Sequence, residues 1–200
     1  KSEFPHAKLF VRAFDRGHCD QDRTHLASFT VGAQTPEFAG AALRALASGW
    51  RLAGIHGVAS DGVRRYIQMI ESVQKEKGWS DADIREMRLT VEHAEALGKK
   101  PDVMEGLKKY GIIVSVHPPR LFRTRDYVED YGEAVLPFME PVKTWLNAGI
   151  KVVGQMERYT NVGYVWTILM TRDIGEGMKV LPEEALDRET VLKMWTRWGA

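Results

Sequence analysis

Short apolar runs alternate with longer amphipathic ones along this chain. The apolar runs are AKLFVRAF (7–14), WRLAGIH (50–56), MRLTVEH (87–93), GIIVSVH (111–117) and GIKVVGQ (149–155). Their shortness, β-branched residues and flanking glycines predict strands. The intervening segments read as helices. PEFAGAALRALASG has Thr35 as N-cap, Pro36 in first position and Gly49 near its stop. DGVRRYIQMIESVQKEKG places Val63, Ile67, Ile70 and Val73 on one face and ends at Gly78. VMEGLKKYG and PFMEPVKTWLNAG are shorter, each closing on a glycine before the next strand, and Asp187 caps RETVLKMWTRW.

Strand and helix in strict alternation predict parallel α/β architecture. Two stretches break the rhythm, Asp15 to Gln34 and Pro118 to Leu136. Both follow the C-terminal end of a strand, where functional loops grow in such folds. A doubly wound nucleotide-binding fold would want a G-x-G-x-x-G turn straight after a strand, and the sequence has none.

Composition narrows the class. With 44% hydrophobic residues in 200, the chain can bury a sizeable core. Its 28 Lys and Arg against 27 Asp and Glu are spread along the whole length, which argues against nucleic acid as a partner. No apolar window is long enough for a membrane span. A single cysteine, Cys19, forms no internal disulfide and fits a cytoplasmic protein, although a signal removed on export is also compatible with the sequence. His18 and His25 flank Cys19 in a loop, but their spacing matches no familiar ligand pattern.

Candidate chemistry enters with three histidines, His56, His93 and His117, each closing a predicted strand. The C-terminal ends of parallel strands lie on one face, so the three imidazoles converge there. Neutral imidazole is the commonest protein ligand for zinc-like ions, and a metal accounts for the cluster more economically than acid/base chemistry alone. Strand alternation sends Glu92 to the face opposite His93, as an ion-pair partner rather than a ligand. Lys8, at the start of the first run, reads as a charged residue leading into the sheet. Arg123 and Arg125 read as a solvated loop.

These segments resemble the amidohydrolase superfamily, in particular the amidohydrolase 3 or YtcJ-like branch that includes N-substituted formamide deformylases. GIHGVASDGVRRYIQMIE is similar to that family's H-A-I-G-D-x-A-V segment after barrel strand five, and MRLTVEHAEAL to its R-x-x-I-E-H-A segment after strand six. LKKYGIIVSVHPPRL, LNAGIKVVGQMERYTNVG and LDRETVLKMWTRWGA resemble the segments at strand seven, at strand eight and in the following helix. The resemblance implies the C-terminal portion, about five βα units, of a (β/α)8 barrel. It implies hydrolysis of an amide or cyclic amide C–N bond in a small molecule, with one or two divalent ions, zinc foremost. His56 and His93 carry over as metal ligands, and Lys8 as the lysine that is carboxylated in binuclear members. His117 stands where the family has Gln, as a catalytic group, a substrate contact or an extra metal ligand. Arg120 and the 118–136 loop shape the substrate pocket.

Two departures from the family pattern matter. The metal-ligating aspartate after strand eight is absent; the chain there reads Gln155-Met156-Glu157. Glu157 is one residue later and one methylene longer, and is the candidate general base. After strand five the family's Gly-Asp pair is replaced by Ala59-Ser60, with Asp61 one position late. A whole barrel takes roughly 250 residues, and neither the H-x-H pair of strand one nor a β-sandwich is in this chain. The rest of the barrel is therefore expected from the same polypeptide or from another chain, a homo-oligomer included. Rival functions are a metal-dependent lyase or isomerase, and a scaffold subunit that has lost the centre.

Overall fold

The computed structural model describes residues 36–52, 55–157 and 161–199, with side chains described from Gly40 onward except Ala41. Four parallel strands form one sheet in the order β1 (Ile55–Ala59), β2 (Thr90–Ala96), β3 (Ile113–Val116) and β4 (Lys151–Gly154). Every neighbouring pair is parallel, and the connections run through helices, as parallel strands require. The helices are α1 (Pro36–Ala47), before β1; α2 (Ser60–Lys77), α3 (Asp81–Glu86), α4 (Pro101–Tyr110), α5 (Thr124–Tyr131) and α6 (Val142–Asn147), between strands; and α7 (Val162–Thr171) and α8 (Arg188–Trp195), after β4. This is part of a TIM barrel. The run at 7–14, expected as a further strand, lies outside the described residues, as do Thr35 and Cys19.

The α2 face expected from periodicity is the buried one: Val63, Ile70 and Val73 are fully covered and Ile67 nearly so. They pack on Val91 and Val114 of the sheet and on Val103 and Leu107 of α4 in a single core. Helix α2 stops at Gly78 and α4 at Gly111, both in the left-handed conformation that glycine adopts without a Cβ penalty. Asp187 caps α8, its carboxylate accepting from the Thr190 N–H.

Two predicted elements differ from the observed ones. The helix expected over 137–149 shrinks to α6, because Glu140 precedes Pro141 and the proline ring disfavours helical backbone before it. Glu140 instead takes φ 44°. The irregular segment after His117 is not bare loop: a 3-10 turn (Pro118–Arg123), α5 and a second 3-10 turn (Glu133–Phe138) fold over it. Leu121, Tyr127, Val135 and Met139 form a second small core there with Ile168 of α7. A cleft lined by Arg88, Ile113, Ile150, Lys151, Val152 and Trp198 borders β3 and β4.

Candidate metal centre

Strands β1 and β2 begin and end later than their apolar runs suggest, while β3 and β4 are shorter than theirs at both ends. His56 is the second residue of β1 and His93 the fourth of β2, so neither ends its strand; only His117 directly follows one. Convergence has another origin. Opposite Gly57 stands His93, but opposite Ala59 stands Ala96, so β2 carries an extra residue between the two pairs. At that bulge His93 has φ 73° and Ala94 φ 55°. A bulge re-aims side chains out of the regular alternation.

The consequence is a correction to the expected orientation of Glu92. His56 and Glu92 are register partners on one face, and the twist at His93 brings its ring to them. His93 Nε2 lies 2.8 Å from His56 Nε2, with ring centroids 4.2 Å apart and nearly perpendicular. A Glu92 carboxylate oxygen is 3.9 Å from His56 Nε2. Among the described residues, His56, Glu92 and His93 are the group whose ligand atoms all fall within 4.8 Å of one another. Two imidazole nitrogens and a carboxylate oxygen are a donor set that zinc-like ions take. Two Zn–N bonds of about 2.0–2.1 Å at a tetrahedral angle span about 3.3 Å, so the rings need to part by only about half an ångström. The residues fit a divalent ion.

The neighbours of the pair come from β3 and from the end of β4. Gln155 lies with Nε2 3.0 Å from His93 Nδ1, while Ser115 donates its hydroxyl to Gln155 Oε1 at 3.2 Å. Glu157 Oε1 is 4.0 Å from His93 Nε2. The His117 ring stands 5.9 Å from that of His93 and accepts the Glu157 backbone N–H at Nδ1. Burial holds the His117 pKa below the ordinary histidine value, and the Arg120 guanidinium adds to the effect. The backbone of Gln155 and the Glu157 carboxylate oppose that lowering.

Arg120 lies in the 3-10 turn beyond His117, its N–H donating to the His117 carbonyl. Its Nε is 3.5 Å from Glu95, a carboxylate only 3% exposed that also accepts from the Tyr127 hydroxyl. Burial raises the Glu95 pKa, against Arg120, Arg123 and Tyr127. Behind it, Glu140 is fully buried and its pKa is pushed up to about 8 by burial. Arg172 beside it spends its guanidinium on the carbonyls of Val180, Glu140 and Met139.

The structure thus brings His56, His93, His117 and Glu157 together and sets Arg120 at their edge. Asp61 does not join them; its carboxylate pairs with Arg64, which also bonds Asp102 at 2.6 Å. Arg123 and Arg125 face outward toward Asp126 and Glu176, as a solvated segment does. Lys8 lies outside the described residues. Glu92, Gln155 and Glu95 emerge only in three dimensions, although the E-H-A-E spacing of two between His93 and Glu95 was a signal for the last.

Comparison with solved structures places the fold. The chain is similar to an uncharacterized metal-dependent hydrolase from Pyrococcus furiosus, with a TM-score of 0.61 and 19% identity over 81% of this chain and 31% of that one. It is also similar to an uncharacterized metal-dependent hydrolase from Pyrococcus horikoshii OT3, with a TM-score of 0.60 and 17% identity over 82% of this chain and 32% of that one. This chain thus spans about a third of the length of each. No curated protein matches it significantly. The sequence model of the amidohydrolase family matches residues 11–200, nearly the whole chain, and on that match this chain belongs to the amidohydrolase family.

Proposed function

We propose that this chain forms part of the active site of a metal-dependent hydrolase that cleaves the C–N bond of an amide or cyclic amide in a small molecule, with the remaining barrel strands contributed by the same polypeptide or by another chain. The observation that carries the reading is the His56–His93 pair, Nε2 to Nε2 at 2.8 Å, with Glu92 within reach. The outer edge of β4, at the end of the strand order and unpaired among the described residues, supports further strands beside it.

His56, His93 and Glu92 would hold the ion. When bound, a divalent cation polarises a scissile carbonyl and lowers the pKa of its water to about 7. Glu157, whose carboxylate faces His93, takes the proton from the attacking water and returns it to the leaving nitrogen. His117, whose ring stands beside that of His93, contacts the substrate. Arg120, steadied by Glu95, presents positive charge at the edge of the pocket.

One observation favours a second reading. At strand eight the residue beside His93 is an amide, Gln155, not a carboxylate, which suits a lyase or isomerase that stabilises an enolate without deprotonating water. Metal analysis of the purified protein, followed by turnover of a panel of N-acyl and cyclic amides, tests both. Bound metal with amide hydrolysis supports the first reading, bound metal without it the second, and no metal leaves only a scaffold.

A further inference from the structure

The hydrogen bonds around His93 contain a constraint on its protons. As the structure stands, Ser115 donates to Gln155 Oε1, so the amide NH2 of Gln155 faces His93 Nδ1 and donates to it. Nδ1 is then an acceptor, and a neutral ring must carry its proton on Nε2. That proton fits the 2.8 Å approach of His93 Nε2 to His56 Nε2, where one nitrogen must donate and the other accept. A cation between the rings demands the reverse, because both Nε2 atoms must then offer lone pairs. His93 must move its proton to Nδ1, and Nδ1–H needs an acceptor. Gln155 supplies one if its amide turns over to present Oε1. A hydroxyl both donates and accepts, so Ser115 accommodates either arrangement.

We infer that Gln155 is a positioning residue for His93, and that with Ser115 it forms a reversible relay that selects which nitrogen of the His93 ring carries the proton. The inference rests on the reading of His93 as a metal ligand for its purpose, but its geometry holds in the metal-free protein. The exchange moves a proton within a neutral ring and leaves its charge unchanged. His93 is 1% exposed, so no bulk water substitutes for the amide at Nδ1. Outer-sphere partners of ligating histidines act in this way, and losing one typically costs 10–100-fold in metal affinity. Glutamine differs from a carboxylate in that role, because it serves both the loaded and the empty state.

The test pairs nitrogen NMR of the histidine rings with calorimetric titration of zinc into purified protein, for the wild type, Gln155→Leu and Gln155→Glu. In metal-free wild type the His93 proton is expected on Nε2, and with zinc on Nδ1. Gln155→Leu should leave a mixture of tautomers and weaken zinc binding by about 10–100-fold. Gln155→Glu, which only accepts, should hold the proton on Nδ1 even without zinc and bind zinc at least as tightly as wild type. If wild type and Gln155→Leu show the same tautomer and the same zinc affinity, the relay is overturned. If the tautomer follows residue 155 as described but no variant binds zinc, the relay stands and the metal reading falls.

Discussion

His93 and His56 meet ring to ring although they are not partners in the sheet: His93 stands opposite Gly57, and His56 opposite Glu92. The extra residue in β2 and the two left-handed backbones at His93 and Ala94 create the meeting. Non-glycine residues in that region carry strain of order 1–3 kcal/mol, and such strain persists where the surroundings over-determine it. Here it is set beside the one face that needs two imidazoles together.

The first prediction follows from that geometry. His56→Ala and His93→Ala should each lower zinc affinity by more than the roughly 100-fold upper bound for losing an outer partner, while Glu92→Gln should cost less, since it keeps an oxygen donor. Calorimetric titration of the folded variants measures all three. Equal zinc binding by His56→Ala and wild type would remove the pair as a ligand set.

Glu157 makes the second prediction. Its carboxylate is about a third exposed and 4.0 Å from His93 Nε2, placed to move a proton rather than to hold the core together. Glu157→Gln should keep metal content and melting temperature near wild type and lower amide turnover by about 10²–10⁴-fold. Unchanged hydrolysis in that variant would assign the base elsewhere.

What the sequence made legible follows from which rules are local. His56 and His93 could be picked out because apolar runs and histidines are visible in one dimension, and the buried face of α2 because its period is regular. Glu92 was misplaced because alternation assumes an unbroken pleat, and nothing in T-V-E-H-A-E announces a bulge. Gln155 gained its role from Ser115 and His93, 40 and 62 residues away, which no spacing rule connects. Helix α6 was overdrawn because a helical pattern of apolar residues outweighed Pro141, whose effect on Glu140 is itself local and readable. Helix α7 was overlooked because VGYVWTILMT is apolar nearly all round and shows no amphipathic period, even though Asn161 caps it through the Tyr164 N–H.

A third prediction concerns pH and stability. Neither Glu140 carboxylate oxygen has a hydrogen-bond partner, and both are buried. Burial, with the nearby Glu95, lifts its pKa from 4.5 to about 8 against the pull of Arg172 and Arg120. The folded state then binds more protons than the unfolded state between those two values. Stability is full below about pH 4.5 for this group and falls as pH rises toward 8, with a slope of at most about 1.4 kcal/mol per unit. Glu140→Gln should flatten that slope and raise stability near pH 8. Urea titrations of both proteins at pH 6 and pH 8 give the comparison; an identical pH dependence would show that Glu140 is charged throughout.

The fourth prediction tests how tightly the sheet beneath the site is packed. A Cβ added at Gly57 would fall 2.0 Å from Val91 Cγ2 and 2.9 Å from Val63 Cγ2, far inside contact distance. Both valines are fully buried, so neither has space to retreat. Gly57→Ala should therefore destabilise the fold by about 1–3 kcal/mol, the usual cost of overpacking. Because Gly57 is the register partner of His93, the strands would part at the residue pair on which the histidine contact depends, and zinc affinity should fall with stability. Val91→Ala in the same protein removes the nearest methyl, so the double variant should recover part of both losses. Recovery of stability without recovery of zinc binding would mean that the clash and the histidine geometry are separate matters; recovery of both together ties the spacing of β1 and β2 to the distance between the two rings.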